Sequence, residues 1–165
     1  METTPRDNRS ADAVEVLLVC STGGHLLQLH ALRSAWSGTR HAWVTFDKSD
    51  ARSLLADEQV FFAFGPTNRN VGNLLRNLKL AVRLVRRLRP RVVVTTGAGV
   101  AVPFCWIARV RGAKVVYVES LSRIEAPSLS CRLIAPAASR IYAQWPELAE
   151  AYGRARYVGS VFSRG

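Results

Sequence analysis

Three short stretches carry the residues whose types and spacing suit chemistry. Ser21-Thr22-Gly23-Gly24-His25, Thr95-Thr96-Gly97-Ala98-Gly99 and Glu119-Ser120-Leu121-Ser122-Arg123 each follow an apolar run. In the first two, small residues at the end of an expected strand open an expected helix. Unbonded backbone N–H groups and a positive dipole end there favour an anion. His25 falls in the first helical turn, where the dipole favours the neutral ring, the form able to take a proton from a hydroxyl. A purely local hydrogen bond is the alternative for this histidine. Glu119 is a carboxylate at a strand end, placed to hold hydroxyls or an acceptor group; an ion pair with Arg123, four residues on, is its alternative. His30 and His41 read as structural.

Other chemistries lack their patterns. The residues after Gly24 are His25, Leu26, Leu27 and Gln28, so the three-glycine spacing of a dinucleotide fingerprint is missing, although Asp47 stands where a ribose-binding acid would. No Walker loop occurs. Cys20, Cys105 and Cys131 show neither C-x-x-C spacing nor an even count, which excludes a zinc ribbon and a disulfide framework and fits a reducing compartment. No metal and no cofactor is expected.

The elements that must position these loops alternate. Strands are expected at Val14–Cys20, His41–Phe46, Val60–Phe64, Arg91–Thr96, Lys114–Val118 and Arg140–Ala143, with a last one opening Tyr157–Phe162. Helices are expected at Leu26–Trp36, Ala51–Leu55, Val71–Leu88, Val100–Arg111, Leu129–Ala138 and Glu147–Tyr152. This alternation predicts a Rossmann-like, doubly wound parallel sheet in one α/β domain over residues 14–165, after a polar lead of residues 1–13. In strand order 3-2-1-4-5, ligands bind beyond the carboxyl ends of the first and fourth strands, where both glycine loops fall.

The chain has 165 residues, 48% of them hydrophobic and 21% charged, with a formal net charge of +11. That composition excludes a disordered tail, and one domain accounts for the length. The lead does not read as a secretory signal, and no uninterrupted apolar run is long enough to span a bilayer. Between Glu58 and Glu119 there is no acidic residue, while eleven Lys and Arg lie in that interval and carry the whole imbalance. Such a surface attracts anionic head groups, nucleic acid or an acidic protein. On the helix at Val71–Leu88, a wheel of about 100° per residue separates an apolar stripe from Arg76, Lys79, Arg83, Arg86 and Arg87. Leu80 and Leu84 fall beyond the basic stripe and are expected to be exposed with it, as in an interfacial membrane helix. A core-packed helix with an ordinary arginine-rich exterior is the alternative. A basic nucleic-acid-binding module is the rival function, against which the absence of aromatics between Gly65 and Pro103 removes a stacking platform.

Three motifs together resemble one family. Ser21-Thr22-Gly23-Gly24-His25, then Glu119-Ser120 with Arg123 and Ser128-Leu129-Ser130, then Gln144-Trp145-Pro146-Glu147-Leu148 resemble the ALG-fourteen-like oligosaccharide biosynthesis family, including bacterial exopolysaccharide subunits of the PssD and CpsF type. The resemblance implies the N-terminal, acceptor-side half of a split GT-B glycosyltransferase, similar to that half of MurG. A separate subunit would bind the UDP-sugar, and the pair would transfer the sugar to a polyprenyl-pyrophosphate-linked saccharide. It further implies a peripheral position on the cytoplasmic face of the cell membrane. His25 would be the catalytic base and Glu119 would fix the acceptor sugar. Ser21, Thr22, Gly23, Gly24, Gly97, Gly99, Ser120 and Arg123 would bind acceptor or phosphate, with Val158-Gly159-Ser160 near the partner. Eukaryotic members carry an N-terminal membrane helix where this chain has a polar lead, so membrane contact would fall to the basic helix, to the partner, or to both. A lone lobe leaves its cleft open to water, so the chain alone is expected to be inactive.

Overall fold

A computed structural model describes residues 12–67 and 70–162. The polar lead up to residue 11 lies outside the described residues, as does Arg69, which together with Asn70 could bind a phosphate in the loop after the third expected strand. Strands Val16–Val19 (β1), His41–Phe46 (β2), Val60–Ala63 (β3), Val92–Thr95 (β4), Lys114–Val118 (β5), Arg140–Ala143 (β6) and Ala155–Tyr157 (β7) form one sheet. Its order is β3-β2-β1-β4-β5-β6-β7, and every neighbouring pair is parallel. The expected doubly wound core is therefore present and is extended by two strands. β7 starts and ends earlier than expected, and Gly159 turns the chain after it at φ 113°.

Helices Gly24–Ala31 (α1), Ser49–Leu54 (α2), Val71–Leu88 (α3), Ala101–Val110 (α4), Leu129–Ile134 (α5) and Pro146–Ala151 (α6) connect the strands. The central strand β1 is apolar and buried on both sides, as burial under two helical layers requires. Along β1, Val16, Leu18 and Cys20 face one core with Leu26, Leu29, Trp36, Trp43, Ala51 and Leu55. Leu17 and Val19 face the other core, with Leu84, Val85, Leu88, Val93, Phe104 and Tyr117. Cys20, Cys105 and Cys131 are free and buried, and burial pushes the Cys20 and Cys131 thiols up to about 12. At neutral pH they are protonated core residues.

The helix α3 departs from the expected orientation. Asn77 donates to the Phe64 carbonyl at 2.8 Å and accepts from the Phe64 N–H at 2.9 Å; Asn73 donates to the Pro66 carbonyl at 2.8 Å. These amides satisfy the backbone after β3, so they point inward where a wheel reads them as solvent-facing. The helix turns accordingly. Leu84 is 3% exposed and Leu80 packs against the core, which corrects the expectation that both face outward beside the arginines. Val71, Leu74, Leu75 and Leu78 are uncovered instead. Arg76, Lys79, Arg83, Arg86 and Arg87 are exposed as expected, with Arg87 donating to Asp12 at 2.9 Å.

This orientation separates two leucines sharply. Leu84→Ala is expected to lower unfolding free energy by about 2–5 kcal/mol, whereas Leu75→Ser, at a residue 54% exposed, is expected to change it by less than about 0.5 kcal/mol. Chemical denaturation of both variants checks it; equal losses would contradict the observed rotation.

Candidate functional site

The parallel strands deliver their carboxyl ends to one side of the molecule, and a crevice of about 930 Å³ opens there. It is lined by Ser21 and His25 after β1, Asp47 and Lys48 after β2, Phe64 to Thr67 after β3, Ala98 and Gly99 after β4, and Asn73 and Arg76 on α3. Both glycine loops thus contribute to one hollow at the point where the connections diverge, as the topology requires. Asp47 is engaged by Arg52 through two hydrogen bonds, and that guanidinium holds its carboxyl below the usual range. Lys48 and Arg76 leave the crevice with positive character. Arg76 also lies over the Phe64 ring, 5.8 Å from its centroid.

His25 is fixed across the switch point. Its Nδ1 lies 2.8 Å from the Thr96 carbonyl oxygen, and the Thr96 hydroxyl donates back to the His25 carbonyl at 2.8 Å. A carbonyl can only accept, so Nδ1 carries the proton and the neutral ring keeps its lone pair on Nε2. That is the tautomer a general base needs, at a residue lining the crevice.

The glycine positions divide by role. Gly23 at φ 72° turns the chain into α1, and its N–H donates to the Asp50 carboxylate at 2.7 Å. The position expected to take an acceptor phosphate therefore holds a carboxylate of the chain itself. Gly24 and Thr22 flank it outside the crevice lining, Gly24 being exposed. Gly97 is buried at φ 102°, and a Cβ there would collide with the Tyr117 hydroxyl and meet Ser130 Oγ at 3.1 Å. Gly97 admits Tyr117 rather than a ligand. Gly99 faces the crevice and packs near Thr67, whose Oγ1 would stand 3.1 Å from an added Cβ. Ala98 adopts φ 69°, a conformation costing a non-glycine residue on the order of 1–2 kcal/mol, in the crevice wall.

Glu119 is not where the sequence places it chemically. The residue is 1% exposed. Oε1 accepts from the Ser120 N–H at 2.8 Å and from the Tyr117 hydroxyl at 3.4 Å; Oε2 accepts from the Ser128 N–H at 2.8 Å and the Ser128 hydroxyl at 3.0 Å. With both oxygens so occupied, the carboxylate neither holds a sugar nor pairs with Arg123. It ties together the two ends of the loop between β5 and α5. Burial and the Glu119 charge push the Tyr117 phenol far up, so it remains a neutral donor within this network. Ser120 and Arg123 belong to that loop and do not line the crevice: Ser120 Oγ bonds Ser122 Oγ at 3.0 Å, and Arg123 is exposed.

Sequence reasoning missed Lys48, Thr67 and Asn73 as crevice residues. Lys48 sits in a mixed-charge stretch, and Asn73 is hidden in the basic helix, so neither carried a local signal. Among the described residues, no cluster of three or more His, Cys, Asp or Glu could hold a metal, and no helix is long and apolar enough to cross a membrane.

Known proteins resemble this chain in sequence and in fold. Residues 66–161 match the family described as "Oligosaccharide biosynthesis protein Alg14 like". The human UDP-N-acetylglucosamine transferase subunit ALG14 is 26% identical over 192 residues, covering 98% of this chain and 87% of that protein. The protein of the same name from Eremothecium gossypii is 46% identical over 90 residues, 49% of this chain and 40% of its own. Among solved structures, Acinetobacter baumannii MurG matches with a TM-score of 0.70 at 19% identity, over 92% of this chain and 47% of MurG. A UDP-N-acetylglucosamine 2-epimerase from Rickettsia bellii matches with a TM-score of 0.70 at 12% identity, over 90% and 45%. The chain spans about half the length of these solved structures and has the Rossmann-like fold of one half of a GT-B architecture. The matched segment covers more than half of the sequence, and on that ground the chain belongs to the Alg14-like oligosaccharide biosynthesis family.

Proposed function

We propose that this chain is the acceptor-binding, membrane-associating subunit of a two-part glycosyltransferase. The sugar comes from a UDP-sugar held by a second subunit, and the acceptor is a saccharide linked through pyrophosphate to a polyprenyl chain. One observation carries the reading: the crevice and the uncovered apolar stripe share the first turns of α3. Asn73 and Arg76 face the crevice, while Leu74, Leu75 and Leu78 are left to solvent between basic residues. A ligand with an anionic head and a hydrocarbon tail suits that juxtaposition. Its diphosphate lies against Lys48 and Arg76, and its tail passes along the leucines into the bilayer. Exposed Lys and Arg add about 1 kcal/mol each toward an anionic leaflet, which supports a peripheral position on the cytoplasmic membrane face.

In the transfer step, His25 Nε2 takes the proton of the acceptor hydroxyl as its oxygen bonds to the anomeric carbon. The bond from that carbon to the UDP oxygen breaks, and UDP leaves with the electron pair. The names of the ALG14 relatives as transferase subunits support a donor lobe on another chain.

Two experiments test this reading. With the donor-lobe subunit, UDP-N-acetylglucosamine and a short-chain polyprenyl-diphosphate monosaccharide, the pair is expected to turn over and the lone chain is not. His25→Ala is expected to lower kcat by about 10²–10⁴-fold without loss of assembly; unchanged turnover would end the base assignment. In vesicle sedimentation, Arg76→Glu, Lys79→Glu, Arg83→Glu and Arg86→Glu combined are expected to release the folded chain from anionic liposomes. Retention by those liposomes without the partner would show that this surface is not the anchor.

A further inference from the structure

Gln28 stands out as a buried polar residue that the transfer chemistry does not use. It is 2% exposed, on the apolar side of α1, three residues after His25. Residues three apart on a helix share a face, so Gln28 and His25 move as one body. The Gln28 carboxamide makes two bonds to the loop leaving β5. Nε2–H donates to the Glu119 carbonyl at 2.6 Å, and Oε1 accepts from the Leu121 N–H at 3.3 Å. A carbonyl at one residue and an N–H two residues on are the groups that a parallel strand would bond. The side chain therefore stands in for a neighbouring peptide group and grips the backbone on either side of Ser120.

The grip is reinforced. The Trp145 indole N–H donates to the Leu121 carbonyl at 2.7 Å, so both backbone groups of Leu121 are occupied. The Glu119 carboxylate binds the Ser120 and Ser128 N–H groups, closing the loop at both ends. Of these tethers, Gln28 alone comes from the helix that carries His25. The opposite end of His25 is set by Thr96.

We propose that Gln28 is a positioning residue that sets the spacing between His25 and the loop of residues 120–128. The inference rests on the reading of His25 as the base. In the assembled transferase, the loop then braces the helix that carries His25 from outside the crevice, and loosening the grip displaces His25 against the reacting hydroxyl. Displacement by about 1 Å costs on the order of 100-fold in rate.

Gln28→Met keeps the side-chain length and removes both hydrogen bonds. Gln28→Glu keeps the volume and the acceptor for Leu121 but removes the donor to Glu119. For each variant, amide exchange of the full chain is measured together with kcat and acceptor KM of the two-subunit enzyme. The substrates are UDP-N-acetylglucosamine and the short-chain polyprenyl-diphosphate monosaccharide, below every variant's unfolding temperature and normalised to folded protein. In Gln28→Met, Leu121 exchange is expected to rise at least about tenfold with β1 and β4 unchanged, because its amide loses its partner. In both variants kcat is expected to fall about 10- to 100-fold with acceptor KM within about twofold. In Gln28→Met, faster Leu121 exchange with unaltered kcat would overturn the proposal, as would unaltered Leu121 exchange; in either variant, so would a loss of kcat that merely follows the folded fraction. If Gln28→Met does not fold, Gln28→Glu decides by the same kcat criterion. His25→Ala is assayed alongside: turnover retained there refutes the base reading by itself, while the Gln28 variants still report on the loop.

Discussion

The pair of hydrogen bonds between His25 and Thr96 is the constraint on which the site depends. One joins a side-chain ring to a backbone carbonyl and the other joins a hydroxyl to the histidine's own carbonyl, both at 2.8 Å. Together they lock the start of α1 to the end of β4 at the place where the chain's connections leave in opposite directions. The lock has two consequences of different kinds. It sets the relative position of two loops that are 71 residues apart in sequence. It also decides which ring nitrogen carries the proton, so that a packing contact becomes a chemical specification.

Around that lock, polar side chains repeatedly take the place of strands. Asn77 pairs with both backbone groups of Phe64, and Gln28 pairs with the backbone on either side of Ser120. Glu119 gathers the two ends of one loop without a cation, using two N–H groups and two hydroxyls. Such buried groups are costly unless fully bonded, and here they are bonded to backbone that would otherwise be unsatisfied at the strand ends. The long side chains of Lys48 and Arg76 line the crevice.

Much of the fold was legible because its signal is local. Runs such as Val92–Thr95 and Lys114–Val118 are β-branched and strand-length, and the glycine loops mark where a buried strand turns into a helix. His25 and the crevice followed from topology. The rest required knowing which polar residues point inward. Asn73 and Asn77 read as surface by periodicity, yet they rotate α3 and uncover Leu74, Leu75 and Leu78 in place of Leu80 and Leu84. Glu119 read as a ligand-facing acid because a strand end is where such acids lie; its burial depends on Ser128, nine residues on. Gln28 gave no signal, since a single amide among leucines looks like a solvent position.

The proposed function requires that the crevice at the β1–β4 divergence receive the anionic head of a lipid-linked sugar. Titration of the isotope-labelled chain with a short-chain polyprenyl-diphosphate monosaccharide, followed residue by residue by NMR, tests it most directly. The expected result is saturable shift changes at Ser21, His25, Lys48, Ala98 and Gly99. Changes confined to the arginines at the far end of α3, with the crevice silent at saturation, would contradict it.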